Sequence, residues 1–371
     1  MKYSPGLEGI VAGETAISNV EGDVGRLTYR GYAIEELVNQ PYLGVMWLVL
    51  FGELPSGEQL ADLESFLKAH GRLKAEELTL LEHMPDGLHP MRMLQGIIPL
   101  LSIDRSFLFE ELDEEESCGL QVIARVPALI STFRHLQEGT KIPECDYSKS
   151  YLGNFLSVFT GSKELNCEHE SILSIVQILQ MEHSLNVGTF TSRVVSSTLA
   201  PVDSAFSSAV GALYGILHGG ADEAALNDAK KVGSPGNAEQ FIDELLKNKR
   251  KLMGMGHREY RKIDPRSVIL KPLAEKLCLG TEYENNFRTL EALETVFNQR
   301  MNKKGKEVWA NLEFYKGAVY EAIGIPSHYF TSIFAMSRMV GWLAHFIESR
   351  VDNKIIRPKA NYIGSEHRVI S

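Results

Sequence analysis

Beyond residue 31 the sequence carries helical periodicity almost without interruption. A chain with so little strand signal must bury its apolar stripes helix against helix. Leu60, Leu63, Phe66 and Leu67 share one helix face behind a capping box at Ser56 and Gln59. Asn237 and Gln240 give a similar start signal ahead of Phe241, Leu245 and Leu246. Residues 184–216 are rich in Ser, Ala, Gly and Val, as in a long helix that another backbone approaches closely, in the core or across a subunit interface. Phe330, Ile333, Phe334, Val340 and Gly341 fall near one stripe of a further helix. The exception is residues 14–31, where β-prone runs flank Glu21-Gly22-Asp23 as in a short hairpin. The expected fold class is all-α with a short N-terminal β-hairpin. Breaks near His218-Gly219-Gly220 and Gly324-Ile325-Pro326 divide it into a large helical domain, 1–218 with 325–371, and a smaller one, 219–324.

Length and charge narrow the function classes. The 371 residues suffice for a large core. With 38 basic and 48 acidic residues the formal charge is -10, against a nucleic-acid binder that works by neutralising phosphates. Cys118, Cys145, Cys167 and Cys278 form no CxxC pair and have no ligand spacing with histidine, so they read as reduced thiols. No HExxH, GxGxxG or Walker sequence occurs, so neither a metal nor a nucleotide cofactor bound in those ways is expected. The opening MKYSPGLEGI has no signal character, and the longest apolar run, Val45 to Phe51, is too short for a bilayer. A cytoplasmic protein is the expectation.

The residues suited to chemistry are three histidines and one acid: His183, His218, His257 and Glu313. His218 precedes two glycines, which free the backbone for unusual torsions and close approach by a ligand; alone, the same triplet reads as a helix C-cap. His257 lies in GMGHREYRKIDPR, where Arg258, Arg261 and Arg266 follow within nine residues. Such glycines can present amide N–H groups and guanidinium forks to a carboxylate or phosphate, and the stretch also reads as an exposed basic loop. Asp264-Pro265 looks like a turn that aims Arg266. Lys303, Lys304 and Lys306 read as a solvated turn. His70, His83, His89, His135, His169, His328, His345 and His367 lack comparable settings and read as packing, capping or surface residues.

Together these segments resemble the citrate synthase family. PGLEGIVAGETAIS, LTYRGYAIEEL, HPMRML, LHGGADEA, GMGHREYRKIDPR, NLEFY, GIPSHYFTSIFAMSRMVGW and IIRPKANYIG follow in family order over nearly the whole chain. The resemblance implies an all-α homodimer whose smaller domain closes over acyl-CoA and oxaloacetate, with no metal or prosthetic group. His218 resembles the histidine on the thioester carbonyl, His257 the one that polarises the oxaloacetate carbonyl, and His183 an oxaloacetate ligand. Arg266 and Arg338 match carboxylate-binding arginines, and Arg357 the one delivered from the other subunit. Leu252, Met253, Gly254, Met255 and Gly256, with Arg261, stand where the family contacts CoA.

The departures gather near the same segments. The family's base is an aspartate in a segment like NVDFYS, where this chain has Glu313 with Lys316 behind it. One extra methylene moves the carboxylate by roughly an ångström, enough to cost on the order of a hundredfold in rate. Asp222 replaces a usual asparagine, and would repel a dicarboxylate unless an arginine or a proton neutralises it. Val187-Gly188 and Ala200-Pro201 replace Ala-Ser and Ser-Asp. The expected activity is condensation of acetyl-CoA with oxaloacetate. The alternatives are a 2-methylcitrate or other 2-alkylcitrate synthase, and a homologue that binds without useful turnover.

Overall fold

The computed structural model describes residues 3–146, 148–164, 166–365 and 368. The hairpin is part of a three-stranded antiparallel sheet, β1 (Ser18–Glu21), β2 (Arg26–Tyr29) and β3 (Tyr32–Ala33). Its turn packs on the loop that carries His257: Arg261 N–H donates to the Gly22 carbonyl at 2.9 Å. A Cβ on Gly22 would lie 2.0 Å from the Glu259 carbonyl oxygen, so only glycine permits that contact. Tyr29 reaches from β2 to donate to the carbonyls of Ile178 and Glu182.

Helices make up most of the rest. The first seven are α1 (Ile34–Leu37), α2 (Tyr42–Phe51), α3 (Gly57–His70), α4 (Ala75–Glu82), α5 (Pro90–Ile97), α6 (Glu114–Gln137) and α7 (Tyr151–Thr160). Next come α8 (Cys167–Met181), α9 (Val187–Ser196) and α10 (Val202–Tyr214). A second group, α11 (Ala221–Val232), α12 (Ala238–Lys247), α13 (Pro265–Cys278), α14 (Glu284–Asn302) and α15 (Leu312–Ala322), packs largely on itself. The chain then returns in α16 (Phe330–Val351), which lies against α2, α6, α8, α9 and α10.

The Ser56/Gln59 capping box forms as expected at α3. Asn237 does not cap α12: a short turn at 235–237 puts it in helical conformation, and its amide donates to the Val232 carbonyl instead. The small-residue stretch 184–216 is two helices rather than one. Pro201 lacks an N–H and disfavours helix at Ala200, so α9 stops and α10 starts anew. Arg350 fastens the break through Ser196 Oγ (3.0 Å) and the Ala200 carbonyl (2.5 Å). α16 has no single apolar stripe, being buried on every side from Phe330 to Phe346. Its polar residues persist there because they find partners: Ser332 bonds the Tyr329 carbonyl, Arg338 the Gln180 carbonyl and His345 the Glu182 carboxylate. His367 lies outside the described residues.

Candidate active site

The turn after α8 and the loop before α13 bring two of the histidines together. His183 Nε2 is 3.1 Å from the Tyr260 hydroxyl, and its ring centroid is 5.2 Å from that of His257. His183 follows Glu182, whose buried carboxylate takes bonds from Ser18 and His345 and so fixes the backbone at this point. The Asp264-Pro265 pair proves to be a helix start rather than a free turn. Asp264 caps α13 and holds Arg266 with two bonds, Nε to Oδ1 at 3.0 Å and Nη2 to Oδ2 at 2.8 Å. Its Oδ2 also accepts from Leu312 N–H, tying α13 to the start of α15. Arg266 is thus a braced cation and not an open fork.

The glycines of the GMGH segment serve the backbone. Gly254 and Gly256 sit at φ +77° and +83°, and a Cβ on Gly254 would come within 2.8 Å of Phe314 Cα. Met255 bridges Ala310, Gly256 N–H donates to the Trp309 carbonyl, and Asn311 N–H donates to the Gly254 carbonyl. The amides of Met255 and Gly256 are therefore spent on the chain itself, and the amide cradle expected from the sequence does not form there. Asn311 caps α15 by accepting from Glu313 N–H, and its own amide reaches the Gly256 carbonyl. The base segment and the His257 loop are thereby one unit. A cavity of about 260 Å³ opens beside it, lined by Gly256, His257, Tyr260, Arg261, Glu307 and Trp309.

His218 lies in the turn between α10 and α11. Gly220 stands at the start of α11 rather than at a helix end, and neither glycine of the triplet has positive φ. Gly219 answers close approach alone, since a Cβ there would meet the Leu213 carbonyl at 2.5 Å and the Thr331 methyl at 2.6 Å. Arg338 enters from α16, buried, donating through Nε to the Gln180 carbonyl at 2.6 Å with its guanidinium 4.6 Å over the Phe334 ring.

The acid corner is the part the sequence left open. Glu313 and Lys316 stand one turn apart on α15, with Lys316 Nζ 2.6 Å from Glu313 Oε2. Lys316 is fully buried, 3.3 Å from Asp222 Oδ2 on α11, and donates to Gln180 Oε1 on α8 at 3.2 Å. The cation beside Asp222 is therefore a lysine rather than the arginine expected, and burial also raises the carboxyl toward its protonated form. Both carboxylates thus share the Lys316 ammonium as ion pairs, Glu313 Oε2 being the closer oxygen.

Charge states follow from burial. Loss of hydration, then Arg338 and Lys316, push His218 down to about 4, against the Ala212 carbonyl. Burial and Arg266 bring His257 to about 4, with Asp264 opposing. Burial, Arg266, His257 and Arg338 hold His183 well below the ordinary range. All three rings are neutral at neutral pH. Burial raises Asp222 to about 7, with Lys316 pulling it down and Glu313 pushing it up. Burial lowers Arg338 to about 10, and it stays a cation at neutral pH.

A neutral imidazole with a buried, unpartnered Nδ1 at His218, a carboxylate held by a buried ammonium at Glu313, and two buried arginines suit proton removal beside a carbonyl on an anionic substrate. The family model for the citrate synthase C-terminal domain matches residues 6–359. The chain belongs to the citrate synthase family. A citrate synthase from Synechocystis sp. is 34% identical, over 98% of this chain and 92% of that one. A 2-methylcitrate synthase from Shewanella oneidensis is also 34% identical, over 98% and 97%. Among solved structures, the citrate synthase of Thermoplasma acidophilum, in a ternary complex with carboxymethyl coenzyme A and oxaloacetate, aligns with a TM-score of 0.92. It is 28% identical, over 100% of this chain and 98% of that one. The Thermotoga maritima enzyme gives 0.88 at 32% identity, over 99% and 97%.

Of the residues matched to this family by sequence, His183, His257 and Arg266 gather around Tyr260, and His218, Arg338 and Glu313 meet around the departing Lys316. Leu252 to Gly256 form the loop joined to 309–311, and exposed Arg261 lines the adjacent cavity. Arg357 is exposed on the tail after α16, its Nη1 on the Pro358 carbonyl. Tyr260 and Gln180 were not singled out. Tyr260 lay inside the chosen motif, but Gln180 is far away in sequence, and only the fold brings it to Lys316.

Proposed function

We propose that this chain condenses an acyl-CoA, acetyl-CoA in the first instance, with oxaloacetate and hydrolyses the product thioester to citrate and CoA, the tricarboxylic acid cycle's condensing step. The observation that carries the reading is the presence, in one corner, of the Glu313 carboxylate held by Lys316 and a neutral His218. Glu313 removes a proton from the thioester methyl group, and His218 holds the developing enolate oxygen. A well-placed donor of that kind contributes roughly 3–4 kcal/mol to the barrier. The enol carbon then bonds to the oxaloacetate carbonyl carbon, polarised by His257, with Arg266, Arg338 and His183 on the oxo acid. Water cleaves the citryl thioester and releases the thiol.

The same reading assigns CoA to Leu252–Gly256 and Arg261, needs no prosthetic group, and makes 219–324 a small domain that closes on the rest. It calls for a cytoplasmic homodimer in which Arg357 serves the other subunit's site; its exposed place on the tail supports this. No described helix is long and apolar enough to cross a membrane. The 2-methylcitrate synthase relative favours propionyl-CoA as a second donor. Thiol release with oxaloacetate and either acetyl-CoA or propionyl-CoA tests both. Turnover with acetyl-CoA at the higher kcat/KM supports the first reading, a propionyl preference the second. No turnover with either, despite CoA binding, would overturn catalysis altogether.

A further inference from the structure

Three positions where the chain departs from the family pattern are distant in sequence or separated by a helical turn, yet they meet at one point. Asp222 on α11 and Glu313 on α15 both contact the ammonium of Lys316, at 3.3 and 2.6 Å. Packing makes this possible: a Cβ on Gly317 would lie 2.9 Å from the Asp222 carbonyl oxygen, so the two helices approach through glycine. Gln180 accepts from the ammonium on one side, and the Phe334 ring lies 4.0 Å away on another. With zero exposure, Lys316 cannot exchange these partners for water. A buried ammonium is costly unless anions and acceptors surround it.

We propose that Lys316 is a positioning residue for the Glu313 base and that Asp222 holds Lys316 in register, the three working as one unit. The proposal rests on the condensing reading above. A glutamate has one more rotatable bond than the aspartate of the family pattern, so its carboxylate needs an anchor, which the ammonium supplies from one turn along the same helix. The other polar groups facing this corner are Tyr320 on α15, Gln177 on α8, Arg338 on α16 and His218 before α11. Tyr320 is held by Gln177 and Gln180, which donate to its hydroxyl and keep Gln180 Oε1 turned toward Lys316. Asp222, whose carboxyl burial raises, stands 3.3 Å from the ammonium against 2.6 Å for Glu313, and so clamps it without drawing it away from Glu313.

The test is a set of variants read by kcat and KM. Glu313→Asp alone should lose about 10- to 100-fold in kcat, because the carboxylate no longer reaches its place. The pair Asp222→Asn/Lys316→Ser removes opposite charges together; it should lose about tenfold in kcat with little change in the KM for oxaloacetate. Glu313→Asp added to that pair should recover activity over Glu313→Asp alone, a coupling that independent sites would not show. An unchanged kcat in the pair, or strict additivity in the triple variant, overturns the proposal. Lys316→Arg keeps the charge but moves it, so if the pair fails to fold, a native kcat in this variant is equally fatal. If the unaltered protein condenses nothing, the condensing reading fails by itself. The carbon-13 NMR resonance of the Glu313 carboxyl, identified with Glu313→Gln, still decides: a displaced resonance in the pair supports the Lys316 contact, and an unmoved one sinks it.

Discussion

Two buried ionic clusters in this molecule are built to different ends. Glu77 on α4 and Arg125 on α6 are 3.0 Å apart, and neither is more than 1% exposed. Both oxygens of Glu77 have backbone donors: Lys74 N–H on Oε2, and Ser102 N–H on Oε1 beside Arg125. Arg125 in turn donates to the Ser102 carbonyl. In the Asp222–Lys316–Glu313 cluster two carboxylates share the single ammonium of Lys316. With three donors on its two oxygens, Glu77 is the saturated carboxylate and keeps little capacity for a new proton. Glu313, held by a shared side-chain ammonium, is the open one, and the low-dielectric surroundings that make this costly for stability also make it reactive.

The sharpest way to break the comparison is to remove one partner from the saturated pair. Arg125→Met should cost about 3–5 kcal/mol of stability, because it strands Glu77 as a buried anion. Urea or thermal unfolding measures that loss. Activity per folded molecule should stay near native, since no group of the site touches Arg125; a variant that keeps its stability but loses turnover would show the pair to be functional after all.

The site lies at the other end of that scale. His218→Gln should lower kcat by about 10²–10³, the cost of one donor at a developing oxyanion, while melting stays close to native. Steady-state rates with acetyl-CoA check it. A loss confined to KM would mean that His218 binds substrate without acting in the transition state.

How much of this was legible in advance follows from the range over which each contact acts. The Ser56/Gln59 cap and the short β-pairing depend on neighbours a few residues apart, and local pattern sufficed. The misread of Asn237 arose because an extra turn at 235–237 competes for the same start. The stripe on α16 was misjudged because periodicity cannot distinguish a helix with one wet face from one surrounded by other helices; the buried Arg338 and His345 stand where water would be expected. In the site, His183, His218, His257 and Arg266 were visible as residue types in Gly- and Arg-rich settings. Lys316 was visible only as a departure behind Glu313, because its role depends on Asp222, 94 positions earlier, and Gln180, 136 positions earlier. Charge compensation across a fold leaves no local periodicity to read.

The smallest effect concerns acid. Free histidine protonates near 6.5, whereas His218 and His257 in the fold do so only near 4, burial being the main cause. Between those values the unfolded chain binds more protons than the folded one, so stability falls as pH drops from about 6.5 toward 4. Each ring accounts for about 3 kcal/mol at most, and for nearer 2 where water reaches it. Asp222 works in the other direction. Held protonated up to about 7 when folded and only up to 3.8 when free, it contributes stability that is complete below 3.8 and fades as pH rises through 7. His218→Gln should therefore flatten the acid limb of the stability profile measured by urea unfolding between pH 4 and 7, and Asp222→Asn should steepen it. The saturated cluster supplies the control: Arg125→Met should lower the whole profile while preserving the histidine-dependent fall between 6.5 and 4. If that fall persists undiminished in His218→Gln, then burial of this ring does not set its charge, and the contrast between a saturated and an open cluster loses its electrostatic basis.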